Sequence, residues 1–144
     1  MCRITFIWFV IAVTGAQPVH NPTEGHIMQF LMLVCRDRAD SPQPPSQADR
    51  DGAPDVEQWW QGANDAGKYV MGERLRPVDE ARSVRVRGGE VFATQGPFTE
   101  TSELIAGFDV LECDSMEEAV QIAAGHSMAH GGVIEVRQMW PFEG

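Results

Sequence analysis

The chain has 144 residues and a formal charge of −10, from 11 Lys and Arg against 21 Asp and Glu, with an isoelectric point near 4.7. That is one domain's length. A hydrophobic share of 43% and a charged share of 22% exclude a disordered acidic tail, three cysteines are too few for a disulfide framework, and the acid surplus argues against nucleic acid, whose phosphates need clustered Lys and Arg.

At the start, Met1-Cys2-Arg3 precedes the apolar stretch Ile4 to Val13 and the small residues Thr14, Gly15 and Ala16. The stretch is far shorter than the about 20 residues that a membrane-spanning helix needs, so no membrane association is expected. It has the layout of a signal peptide cleaved after Ala16, which would make the protein exported. The competing reading treats 1–27 as a mistranslated extension of a domain that starts at Met28. Glu24-Gly25 is encoded GAR-GGN, similar to a bacterial ribosome-binding site, and His26-Ile27 supply the spacer. The fold signals also begin directly after Met28, so the second reading, a bacterial cytoplasmic protein of residues 28–144, is preferred.

Gln29 to Cys35 is a nearly continuous apolar run, which predicts a central strand buried on both faces. Residues 37–53, with Pro42, Pro44, Pro45 and Gly52, read as a long mobile loop. Pro54 suits a first helical residue, and Val56, Trp59, Trp60 and Ala63 follow helical spacing, predicting a helix that buries two indoles and ends at Gly67. Tyr69 to Leu75 is a second strand. Val84–Arg87 and Glu90–Ala93 flank Gly88-Gly89, the signature of a two-residue primed turn, with Arg87 opposite Glu90 and Val86 opposite Val91. Leu104 to Cys113 is a further strand. Ser115 and Glu118 have capping-box spacing before a helix whose stripe is Met116, Ala119, Val120 and Ala123, ending at Gly125. Val133 to Met139 is the last strand.

Without the hairpin this order is βαββαβ, an α+β ferredoxin-like arrangement. Two helices cover one face of such a sheet, so the other face needs a partner, and a second copy is the simplest supplier. A homodimer is therefore expected.

Three stretches carry a resemblance: Tyr69 to Pro77 (YVMGERLRP), Thr94 to Glu100 (TQGPFTE) and Gly132 to Arg137 (GVIEVR). In order and spacing they resemble the signature segments of the YCII-related family, specifically its DGPF-domain branch. The resemblance covers nearly all of Gln29 to Met139. It implies a dimeric α/β-barrel in which two ferredoxin-like units enclose a cleft, and a family thought to include His/Asp-dependent enzymes acting on small molecules. Where that branch has Asp-Gly-Pro-Phe, this chain has Gln95 before Gly96-Pro97-Phe98, and an amide is neither base nor anion. Gln95 and Phe98 are thereby candidate ligand-binding positions rather than catalytic ones.

The remaining chemistry rests on few residues. His126 follows the second helix, whose negative end would favour imidazolium; the alternative is that it merely caps exposed carbonyls. It also matches the His of a His-Pro pair common in the branch, with Ser127 in place of the proline. Asp109 interrupts an apolar strand on the face of Leu111, so it faces either the cleft or the solvent rim. Glu100 is a second candidate acidic partner, and Glu73 and Arg137 could line the same cavity or form surface ion pairs. No metal or other cofactor is expected: His126 and His130 are four apart, but no ligand pattern accompanies them. Arg82, Arg85 and Arg87 are too few for nucleic acid. The reading is a small-molecule-binding or regulatory dimer. The alternative is a small-molecule enzyme of lyase or hydrolase type, using His126 with Asp109 or Glu100 for proton transfer.

Overall fold

The computed structural model describes residues 27–37, 40–97 and 103–141. In chain order its elements are β1 (Met28–Asp37), α1 (Gln47–Asp51), α2 (Val56–Asp65), β2 (Tyr69–Arg74), a 3-10 turn (Val78–Glu80), β3 (Arg82–Arg87), β4 (Glu90–Gln95), β5 (Glu103–Cys113), α3 (Met116–Ala124), α4 (Ser127–Gly131) and β6 (Val133–Gln138). The main sheet has the order β2-β5-β1-β6 with every neighbouring pair antiparallel, while β3 and β4 form a separate ribbon. This is the split βαβ arrangement expected from the sequence, with the hairpin inserted between β2 and β5.

The apolar run of β1 occupies a central position between β5 and β6. Its side chains alternate, as a strand requires. Phe30 and Met32 are fully buried and join Leu111, Cys113, Ala119 and Ala123 in the core, beneath the helices. Burial of each large member stabilises the fold by roughly 1.5–3 kcal/mol. On the opposite face Leu31 and Leu33 are half-buried and pair with Val110 and Phe108. Cys113 lies opposite Met28 and Cys35 opposite Ile105, at the two ends of the β1–β5 ladder. At about 3.3 Å per residue they are on the order of 20 Å apart, beyond the roughly 7 Å limit of a disulfide.

Local chemistry sets the helix ends and corrects the sequence reading in places. Asp55, not Pro54, starts α2: its carboxylate accepts hydrogen bonds from the Glu57 and Gln58 amides at 2.8 and 3.1 Å, which leaves Pro54 outside the helix. Of the two indoles only Trp59 is drawn inward, donating to the Ile122 carbonyl at 2.7 Å; Trp60 stays 38% exposed. Ser115 caps α3, but Glu118 reaches back to the Asp114 amide, one residue earlier than a capping box would have it. The buried stripe of α3 is Ala119, Ile122 and Ala123, whereas Met116 and Val120 point outward. The proline-rich loop carries the short helix α1, nucleated by reciprocal bonds between Ser46 and Asp49. A second short helix, α4, follows Gly125 where none was expected.

The hairpin register is the one the turn residues dictate, Arg87 opposite Glu90 and Val86 opposite Val91. Gly88 and Gly89 have φ of 58° and 82°, the left-handed region that a primed turn needs at both positions.

Candidate functional site

Period-two alternation places Leu111, Asp109 and Gly107 on one face of β5, and the register sets them against Tyr69, Gly72 and Arg74 of β2. Asp109 also pairs with the fully buried Met32 of β1. It therefore faces neither the open sheet surface, where a second copy would meet it, nor the solvent rim. It lies on the helix-covered side, in a cavity of about 630 Å³ between the sheet, α2 and the start of α4. Glycine makes the space: a Cβ at Gly72 would collide with the Asp109 carboxylate and come within 2.7 Å of the Tyr69 hydroxyl, and one at Gly107 would come within 2.9 Å of the Glu73 carbonyl.

The wall is aromatic. Trp59 meets His126 edge to face at 4.5 Å between ring centroids and Tyr69 at 6.3 Å, and Trp60 meets Tyr69 at 6.1 Å. Tyr69 stands between Trp60 and Asp109 on this wall, and its hydroxyl shares the space in front of Gly72 with the Asp109 carboxylate. Burial raises the Asp109 carboxyl to about 6, against the opposing effect of the Tyr69 hydrogen bond. Tyr69 is itself pushed upward by burial and then by the negative charges of Asp109 and Glu73.

His126 is 6% exposed and enters the same cavity. It is the N-cap of α4, its Nδ1 accepting from the Met128 amide at 3.0 Å. That bond places the ring hydrogen on Nε2. Burial holds the imidazole below its usual pKa, so it is neutral. The expectation of an imidazolium at a helix C-terminus is thus corrected in both respects: the ring accepts from a helix start, and it neither carries charge nor caps carbonyls. No carboxylate bonds to it among the described residues. Trp59 packs on it instead.

The other sequence candidates scatter. Glu73 lines the cavity. Arg137 pairs with Leu31 on the opposite face of the sheet, with Glu135 at 3.6 Å. Gln95 is exposed and donates to the Asp79 carbonyl at 3.1 Å, pinning the end of β4 to the 3-10 turn away from the cavity. Glu100 and Phe98 lie outside the described residues. Tyr69, Trp59, Trp60 and Gly72 are the site residues that sequence reasoning passed over as core or strand; the signal was the adjacent pair Trp59-Trp60 together with the glycine that interrupts β2 at Gly72. Among the described residues no three His, Cys, Asp or Glu side chains converge as a metal set, and no helix is long and apolar enough to cross a membrane. Burial raises the Cys113 thiol, which disfavours its thiolate.

Comparison with known proteins agrees with the architecture. Residues 28–143 match the YCII-related domain. An uncharacterized protein of Rhizobium meliloti (strain 1021) is 38% identical over 77 residues, a stretch covering 52% of this chain and 62% of that relative. The chain therefore belongs to the YCII-related family.

Proposed function

We propose that the protein is a homodimer that binds a small, ring-bearing molecule in the Asp109 cavity. One observation carries the reading: a carboxyl and a buried neutral imidazole, whose Nε2 hydrogen meets no protein acceptor among the described residues, open into one aromatic-walled space. A volume of about 630 Å³ lies within the usual range for small-molecule pockets. A fitting ligand offers an acceptor to His126, a donor to Asp109 and a flat apolar body to Trp59, Trp60 and Tyr69. The dimer is supported by the half-buried apolar residues Leu31, Leu33 and Phe108 on the helix-free face of the sheet. Those two faces would form the α/β-barrel of the DGPF-type arrangement, and the ligand would sit outside the barrel, within each protomer. Synthesis from Met28, in the cytoplasm of a bacterium, is part of the same reading, and the mass of the N-terminal peptide from its native host tests it.

A second reading is favoured by the position of the Asp109 titration. A carboxyl at about 6 exchanges a proton near neutral pH, which suits general acid–base chemistry of a lyase or hydrolase type. In that case Asp109 is the proton-transfer group and neutral His126 polarises the substrate. Crystallographic soaking with small ring compounds tests the site. Fragments that bridge Asp109 and His126 are the expected result, and fragments bound elsewhere, with this cavity left to solvent, would overturn it.

A further inference from the structure

The Asp109 cavity has a second, basic end. On β1 the helix-facing side chains Phe30, Met32 and Val34 are followed in the same alternation by Arg36, and on β2 the same side carries Tyr69, Gly72 and then Arg74. Both arginines line the cavity. Arg74 stands across the ladder from Gly107, whose other neighbour is Val34, so the two arginines flank the stretch of β5 that offers no side chain. Across β5 the strands β1 and β2 are about 10 Å apart, a gap that two guanidinium side chains can close on a group held between them. Arg74 is two residues beyond Gly72, about 7 Å along the strand from the Asp109 row, which is room for one ring.

Neither arginine has a protein partner. Among the described residues Lys68 pairs with Glu118 and Asp114, Arg76 with Glu80 and Arg137 with Glu135, while the side chains of Arg36 and Arg74 make no hydrogen bond or ion pair. The chain has 21 acids for 11 bases, so carboxylates are not scarce. Two of them, Glu57 and Glu73, line this same cavity and pair with neither arginine. Two unneutralised guanidinium groups at the end of an aromatic-walled space form a receptor for an anion, because their forks match the oxygens of a carboxylate or phosphate.

We propose that the ring-bearing ligand of this cavity is an anion, whose carboxylate or phosphate group is held between Arg36 and Arg74 while its ring lies over Gly107 and Gly72 against the aromatic wall. The proposal rests on the ring-binding reading above and adds the ligand's charge and its orientation. The order of groups along the sheet sets that orientation, with the oxyanion at the arginine end and the substituent that meets Asp109 at the other, which keeps the two negative groups a ring apart.

Titration of the full chain with benzoate, phenyl phosphate and neutral benzamide, followed by the NMR shifts of the Trp59 and Trp60 indole groups, tests this. At low salt one or both anions are expected to bind about tenfold tighter than benzamide, and the advantage should shrink as salt is added. The tighter of the two anions tells a carboxylate ligand from a phosphate one. Arg36→Gln/Arg74→Gln, confined to exposed side chains, is expected to abolish the preference and leave benzamide binding unchanged. Benzamide matching both anions on the wild type, or a folded double variant that keeps the preference, would overturn the anion site while the ring site stands. If the double variant does not fold, the wild-type ratio and its salt dependence decide. Indole signals that none of the three probes moves would remove the ring site and the anion site together.

Discussion

Gly72 stands directly across the ladder from Asp109, and the Asp109 carboxylate occupies the space where a Cβ at Gly72 would be. The catalytic or binding potential of the carboxyl therefore depends on a side chain that is missing on the neighbouring strand. Gly72→Ala is expected to displace Asp109 from Tyr69 and to destabilise the fold by about 1–3 kcal/mol, the usual cost of overpacking, because one of the colliding atoms is the Phe108 carbonyl and cannot swing away. Urea denaturation of the variant measures it; unchanged stability would show that the strand edge gives way freely.

The pH dependence of Asp109 has a definite sign. Its folded pKa, about 6, lies above the 3.8 of an ordinary aspartate, so its contribution to stability is complete below pH 4 and is lost as pH rises through 6. The difference in unfolding free energy between Asp109→Asn and the wild type should therefore grow in favour of the variant between about pH 4 and 6 and stay level above. Taking the difference between the two proteins cancels the other acids. A flat difference across this window would mean that the carboxyl titrates normally.

For His126 the sign is opposite. Burial lowers its folded pKa, so its contribution is present above the ordinary 6.5 and is lost as pH falls below it through the folded value. Imidazole ¹⁵N shifts should show Nε2 carrying the hydrogen at pH 7 and a midpoint below 6.5. His126→Asn, which can still cap α4, should keep the short helix and lose the cavity's donor ring, whereas His126→Ala should lose about 1 kcal/mol more through the missing cap. Equal stability of the two variants would argue that the Nδ1 bond to Met128 matters little.

Trp59→Phe removes the indole donor from the Ile122 carbonyl near the end of α3 while keeping a ring against His126. The expected loss is about 1–3 kcal/mol for the carbonyl left without its donor. Amide exchange in the last turn of α3 should rise with it. An effect spread evenly over the sheet would point to lost packing instead.

The parts of this structure that were legible in the sequence are those governed by near neighbours. Gly88-Gly89 determines its own turn and through it the register of twelve strand positions, and the alternation around Asp109 correctly joined it to the face of Leu111. The short helices α1 and α4 were not legible, because five residues carry too little periodicity and each exists through one cap, Ser46 or His126. His126 was misjudged for that reason: one added turn of helix converts the end of α3 into the start of α4 and reverses the sign of the local field. The cavity depends on which sheet face α2 covers and on how Trp59 and Tyr69 meet, facts set by tertiary docking that no local pattern encodes.

The cavity beside Asp109 is made by subtraction. Along β5 the helix-facing side chains shrink from Leu111 through Asp109 to Gly107, and β2 answers with Gly72, so the floor of the space beneath α2 and α4 is formed by missing atoms on two hydrogen-bonded strands. Such a space is already present in the ground state. A ligand entering it need not lift a helix or order a loop, so little binding energy is spent on reorganisation, and association should run at an ungated, encounter-limited rate with affinity set by how long the ligand stays.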